Sequence, residues 1–357
     1  MQARLVDTPA LWTVAAGQDD FGTYQTRLQK AIDGGHLPAE PCFCSFIGYT
    51  SEHKCPDRTP DHDMILMKKR IGSPSSDAEV YAVSYNSITA ALKVMPVISS
   101  DDEIKNMAEI ANAIRASDLV KSGYSPHFPL VYSSGKCNNV IFQPDSKFRA
   151  AAEDYARVLT LRQEYPTKRR LIDALVKQIP DGIRRADVIA QRIGVTLGSP
   201  SVVPPQENGI AHLLLSEMAR EDIRTWSQRH HHDNEWISII TQAIEAISHL
   251  HAGLNLCHND LHLGNLLLLN SNLNDGPGDN RETIVLIHDF GRSIDLSESN
   301  WKDDYVEFLD NTWSASNISA NLKEEVYQLL ITTNDFATSD EKEQDLVYHL
   351  RAVLRRQ

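Results

Sequence analysis

Apolar residues between Met64 and Val94 fall in three short runs, Met64–Met67, Glu79–Val83 and Ile88–Val94, and such runs bounded by turn formers predict strands. The turn formers Gly72-Ser73-Pro74-Ser75-Ser76-Asp77 separate the first two. Ser100 and Glu103 then spell a capping box, and Ile104, Met107, Ala108, Ala111 and Ile114 repeat near 3.6 residues, which predicts a helix. Residues 146–194 read as charged amphipathic helix, cut by Pro166, Pro180 and Gly182. With the loop Gly198 to Pro205 they form an insertion between two strands. Ala211–Leu215 is a buried strand, and Trp236, Ile237, Ile240, Ile244, Ile247 and Leu250 mark a helix from Asn234 to His251. Strands at Leu266–Leu269 and Ile284–Ile287 flank a Gly/Asn/Asp loop. Helices follow to the end, including Leu322–Ile331 and Asp345–Leu354. The first sixty residues are polar and irregular, and no repeat is visible. The pattern predicts an α+β chain.

Composition narrows the function classes. The 357 residues are 41% hydrophobic and carry a net charge of −13, which disfavours nucleic acid as a partner. No apolar run reaches the roughly 18 residues of a membrane span, and the N-terminus lacks the apolar core of a secretory signal. Five cysteines give no disulfide framework. A reducing compartment, cytoplasm or virion interior, is expected. Cys42, Cys44, His53 and Cys55 do not match zinc-site spacings and read as strand and loop.

Two segments carry chemistry: His258-Asn259-Asp260-Leu261-His262-Leu263-Gly264-Asn265, and His288-Asp289-Phe290-Gly291. A carboxylate at Asp260, an amide five residues on at Asn265 and a second carboxylate at Asp289 can converge on a phosphate-bound divalent ion. Mg²⁺ takes such oxygen ligands.

These segments resemble the catalytic loop and metal-binding motif of the protein-kinase-like superfamily. Upstream, Ala90-Ala91-Leu92-Lys93 resembles the third-strand lysine motif. Ile71-Gly72 through Ala78-Glu79-Val80-Tyr81 resembles a degenerate glycine-rich loop, and Leu215 through Ile223 resembles the hinge. The resemblance spans residues 64–310. It implies a bilobed fold with a β-rich N-lobe (61–216, carrying the 146–205 insertion) and a shortened helical C-lobe (217–357), after an extension over 1–60.

It also implies roles. Lys93 would hold the ATP phosphates, Asp260 would accept the acceptor's proton, and Asn265 and Asp289 would hold Mg²⁺. Ile71, Gly72, Glu79, Ser216 and Asp222 would line the nucleotide site, where the main chain of Glu217 and Ala219 would meet adenine. His258 would pack the loop against Asp289–Gly291. The partner of Lys93 would be Glu109, although the apolar stripe brings Glu103 nearer the core.

The departures shape the expectation. Of the loop glycines only Gly72 remains, and Pro74, Asp77 and Ala78 stiffen the rest. Asn259 replaces the arginine that pairs with a phosphorylated activation loop, so activity is expected to be constitutive. Ser216, at the edge of the adenine pocket, leaves room for bulky purine analogues. His262 stands where serine/threonine kinases carry lysine and resembles aminoglycoside and choline phosphotransferases. Only 66 residues follow Gly291, as in compact kinases of large DNA viruses and some bacterial effectors. The leading expectation is an ATP- and Mg²⁺-dependent kinase of protein serine or threonine. A small-molecule phosphotransferase and a pseudokinase scaffold stand behind it. His230-His231-His232 reads as a solvated loop, and Lys168-Arg169-Arg170 with Arg184-Arg185 as a solvated face. Cys257 beside His258 reads as no dyad, since neighbours on extended chain point apart.

Overall fold

The computed structural model describes residues 65–71, 78–85, 88–141, 154, 157–158, 160–179, 185–196, 208–270, 283–316, 318–332 and 340–354. Gly72, Cys42, Cys44, His53 and Cys55 lie outside them. The chain forms two compact units, one from the described residues up to Ala111 with Val131–Met218, the other from Asn112–Leu130 with Ala219 onward.

The first unit holds an antiparallel sheet of β1 (Ile65–Ile71), β2 (Glu79–Tyr85), β3 (Ile88–Val97), β4 (Val131–Ile141) and β5 (Asn208–Glu217), ordered β1-β2-β3-β5-β4. Alternation along the strands sorts the side chains. Val83, Ala90, Leu92, Val94, Cys137, Ala211, Leu213 and Leu215 form a buried cluster on one face. Lys93 therefore points to the other face, which Val80, Ile71 and Leu214 share through directly paired positions. β4 was not foreseen. Its Ser133-Ser134-Gly135 centre reads as a turn, yet the strand is tolerated at the sheet edge with two register shifts.

Between β4 and β5 the inserted residues make their own core. Val158, Leu161, Ile172, Leu175, Ile179, Ala186, Ile189, Ala190 and Ile193 pack together, from helical residues around Val158 and Leu161, α2 (Arg169–Gln178) and α3 (Arg185–Arg192). Arg169 and Arg170 are exposed, as a solvated face requires. Lys168 instead donates to the Ile193 carbonyl at 2.6 Å and ties this small core shut.

The helix α1 (Ser100–Lys121) corrects two expectations. Its reciprocal cap sits one residue earlier. The Asp102 carboxylate accepts from Ser99 N at 2.8 Å, and Asp102 N donates to Ser99 Oγ at 3.2 Å. Its apolar stripe does not face the interior: Ile104 is 69% exposed and Met107 57%, while Asn106, Glu109, Ile110 and Ala113 are buried. Polar anchors set the rotation. The Asn106 amide donates to the carbonyls of Met95 and Pro96 at 3.2 and 2.9 Å, and Glu109 is taken by Lys93.

The second unit is built on α5 (Asp233–Leu254), whose Trp236, Ile240, Ile244, Ile247 and Leu250 are buried. Asn255, in the left-handed region at φ 56°, ends it. Before it lie β6 (Glu221–Asp222) and the single turn α4 (Ile223–Trp226). After it come β7 (Leu256–Cys257), β8 (Leu266–Asn270), β9 (Thr283–Ile287), β10 (Ile294–Asp295), α6 (Lys302–Ala315), α7 (Ala320–Thr332) and α8 (Asp340–Leu354). β6, β8 and β9 form one small sheet, β7 and β10 another. The triple histidine is not wholly solvated: His231 stacks on Trp226 and its Nε2 lies 2.7 Å from the Trp226 carbonyl, while His230 and His232 stay exposed. Among the described residues no helix is long and apolar enough to cross a membrane.

Candidate active site

In the second unit, the loop between β7 and β8 carries Asp260 and Asn265. The Asn265 side-chain NH₂ donates to the Asp260 carbonyl at 2.9 Å and lies 3.3 Å from its carboxylate. That commits the amide nitrogen inward and leaves the amide oxygen as a hard donor. His288 N donates to the Asn265 carbonyl at 3.1 Å, so the backbone next to Asp289 is tied to Asn265 itself. Asp289 sits at φ 68°, a left-handed conformation that costs a non-glycine residue energy and is found at functional sites. The Asn265 amide oxygen and the Asp289 carboxylate are oxygen donors of the type Mg²⁺ takes.

His258, fully buried, links the two segments. Its Nε2 lies 3.0 Å from the His288 carbonyl. A carbonyl only accepts, so Nε2 carries the proton. Burial drives its pKa down, against the nearby carboxylates of Asp304, Asp289 and Asp260. The neutral ring packs on Phe290 with centroids 5.6 Å apart. Asn259 also takes a left-handed φ, 57°, which asparagine tolerates better than most residues. Its side-chain oxygen accepts from Ser299 Oγ at 3.2 Å. Arg292, highly exposed, brings Nη1 within 3.5 Å of Asp260 Oδ1. His262 Nδ1 accepts from Gly264 N at 3.0 Å and lies 3.2 Å from Arg224 Nη2, so this ring shapes the loop.

Sequence reasoning missed what holds this loop from beneath. Asp304 of α6 is 1% exposed. One carboxylate oxygen accepts from His258 N at 2.7 Å and the other from Asn259 N at 2.8 Å. His251 Nε2 lies 3.0 Å from Asp304, its Nδ1 lies 2.6 Å from Glu343 of α8, and Tyr305 donates to Glu343 at 2.5 Å. Both imidazole nitrogens thus face carboxylates, and the ring is a cation. Burial opposes that charge, but hydrogen bonds to Asp304, Cys257 and Glu343 lift the His251 pKa well above its ordinary value. His251, Cys257 and Asp304 are close enough to suggest a metal cluster. The chemistry speaks against it: Asp304 is committed to two backbone N–H groups and His251 to two carboxylates. Helical periodicity could flag a histidine on the buried face of α5, but not its partners 53 and 92 residues away.

In the first unit, Lys93 is paired with Glu109, which is 5% exposed. Glu103 instead pairs with Lys136. Among the other nucleotide-site candidates, Ile71 and Ser216 share the Lys93 face, opposite Val80 and Ala91 in the ladder. Glu79 does not. It stands opposite Val94 on the other face, where its carboxylate accepts from Tyr81 OH at 2.5 Å and meets Arg70 at 3.8 Å. A strand residue one place out of phase with Lys93 points away from it, so Glu79 leaves the candidate site. Glu217 ends β5 opposite Ala90, and Ala219 follows at the start of the second unit. Asp222 caps α4, accepting from Thr225 N at 2.8 Å.

No protein-family description matches the chain, and no curated protein is similar enough to count as a relative.

Proposed function

We propose that the chain is an ATP- and Mg²⁺-dependent protein kinase that transfers the γ-phosphate to serine or threonine hydroxyls. The observation that carries this reading is the tie between the Asp260–Asn265 loop and the Asp289 segment, made by Asn265, His258 and His288. It gathers a carboxylate base and an oxygen-only donor pair on one scaffold. The Lys93–Glu109 pair adds a partly buried ammonium whose position a buried carboxylate fixes.

Phosphoryl transfer asks a protein mainly for positioning and charge neutralisation. Asp260 accepts the hydrogen bond of the acceptor hydroxyl and takes its proton as the oxygen attacks the γ-phosphorus and the bond to the β–γ bridging oxygen breaks, releasing ADP. Asn265 and Asp289 would hold Mg²⁺, which when bound would supply the positive charge that the phosphates need. Lys93 binds the phosphates, and Glu109 keeps its ammonium directed. The absence of an arginine at position 259 makes loop phosphorylation unnecessary.

The test is transfer from γ-labelled ATP, native chain against Asp260→Asn, with a protein extract and a panel of aminoglycosides and amino-alcohols as acceptors. A general base is worth about 10²–10⁴-fold in rate. Label on protein that falls by that factor supports the reading. Label confined to small molecules, the outcome the His262 position favours, makes the enzyme a small-molecule phosphotransferase. ATP binding without Asp260-dependent label leaves a pseudokinase scaffold.

A further inference from the structure

Beneath the loop lies a chain of buried groups that reaches the last helix. His258 N and Asn259 N donate to Asp304, Asp304 faces His251 Nε2, and His251 Nδ1 faces Glu343. Every link is short, between 2.6 and 3.0 Å. His251 and Asp304 are essentially inaccessible, and Glu343 is 7% exposed. A cation between two carboxylates in such a place is held only by complete pairing. Removing one partner leaves a buried charge exposed to its full desolvation cost. Tyr305 completes Glu343 by donating to it, and Cys257 contacts His251 from β7.

The helix α8 that brings Glu343 makes a second ion pair with α5, Arg351 to Glu245 at 3.6 Å. That pair lies eight residues along the helix from Glu343. One helix thus makes both ion pairs with the same neighbour, and the one through Glu343 continues by way of His251 and Asp304 to the loop.

We propose that Glu343 is a positioning residue for Asp260, acting through His251 and Asp304, so that the C-terminal helix sets the order of the catalytic loop. The catalytic part of this inference rests on the function proposed above; the coupling itself does not.

The experiment compares the full chain with Glu343→Gln, Arg351→Gln and Tyr305→Phe. Amide hydrogen exchange is read on the peptide covering Cys257–Leu261, and transfer kinetics on the same samples. Glutamine keeps the size and an acceptor but gives His251 no anion. Glu343→Gln is expected to speed exchange at His258 and Asn259 about tenfold, the value of one charge-assisted hydrogen bond. It should lower kcat by a similar factor with the KM for ATP unchanged. Arg351→Gln should lower Tm and leave both readings alone. Unchanged exchange in Glu343→Gln overturns the coupling, as does an equal effect from Arg351→Gln, which would mean mere loosening of the helix. If Glu343→Gln does not fold, Tyr305→Phe weakens the same link and decides by the same exchange criterion. If the native chain transfers no phosphate, the proposed function fails, while exchange still decides whether α8 holds the loop.

Discussion

At the scale of single residues, the pair that matters most is Lys93 with Glu109. The resemblance pointed to Glu109 as its partner, while periodicity brought Glu103 nearer the core by rating Ile104 and Met107 as interior. Both are exposed, and the helix is turned by Asn106 and Glu109 instead. Apolar pattern alone misreads an element whose buried face is fixed by polar bonds. Glu109→Gln should therefore raise the KM for ATP at least about tenfold, one charge-assisted hydrogen bond's worth. Glu103→Gln should change it little, since Glu103 spends its charge on half-exposed Lys136. Steady-state kinetics on the two variants separates them. Ser216 lies on the Lys93 face beside Ala91, with no bulk on either side chain. Purine analogues with large substituents should inhibit the native chain and lose their effect in Ser216→Phe. Unchanged inhibition would remove Ser216 from the nucleotide site.

At the scale of elements, long periodic segments were readable and polar-centred ones were not. The helix over Asp233–Leu254 and the strands Leu266–Asn270 and Thr283–Ile287 follow their apolar pattern. β4 hides behind Ser133-Ser134-Gly135, and the acid on α6 that holds the loop has no local signature at all. The candidate segment around Asp260 was legible because its residues are close in sequence; its support was not, because Asp304 and Glu343 come from elements far along the chain. The segment after Asp289 leads to a further expectation. Ser293 closes a turn on Phe290 through its backbone N, while its buried hydroxyl has no hydrogen-bond partner among the described residues, and Ser297 Oγ donates to Asp295 at 2.6 Å. Ser293→Ala with Ser297→Ala should keep transfer activity within tenfold. The insertion, with its separate core, should respond to Ile172→Ala by losing about 2–5 kcal/mol locally. Limited proteolysis should then cut between residues 157 and 193 before it cuts the five-stranded sheet.

At the scale of the whole molecule, the buried acid-histidine chain makes stability depend on pH from both sides. His251 keeps its proton well above the ordinary histidine value of 6.5. Its contribution is complete below 6.5 and is lost as pH rises through the elevated folded value. For Asp304, burial pushes the pKa up, but the bonds from His251 and the His258 and Asn259 amides bring it below 3.8. That contribution is present above 3.8 and is lost as pH falls through the depressed value. Tm against pH should form a plateau between these limits, and Glu343→Gln should move its alkaline edge to lower pH. An unmoved edge would mean that Glu343 does not sustain the His251 charge.

Among the described residues, two buried thiols give the molecule a pair of clocks. Cys137 is 1% exposed in the first unit and Cys257 is fully buried in the second. Neither can meet a labelling reagent until its own surroundings open. With Cys42, Cys44 and Cys55 changed to serine, two labelling rates would time the opening of each unit separately. A nucleotide that slows both would be engaging the whole chain, and one that slows a single rate would be engaging one half of it.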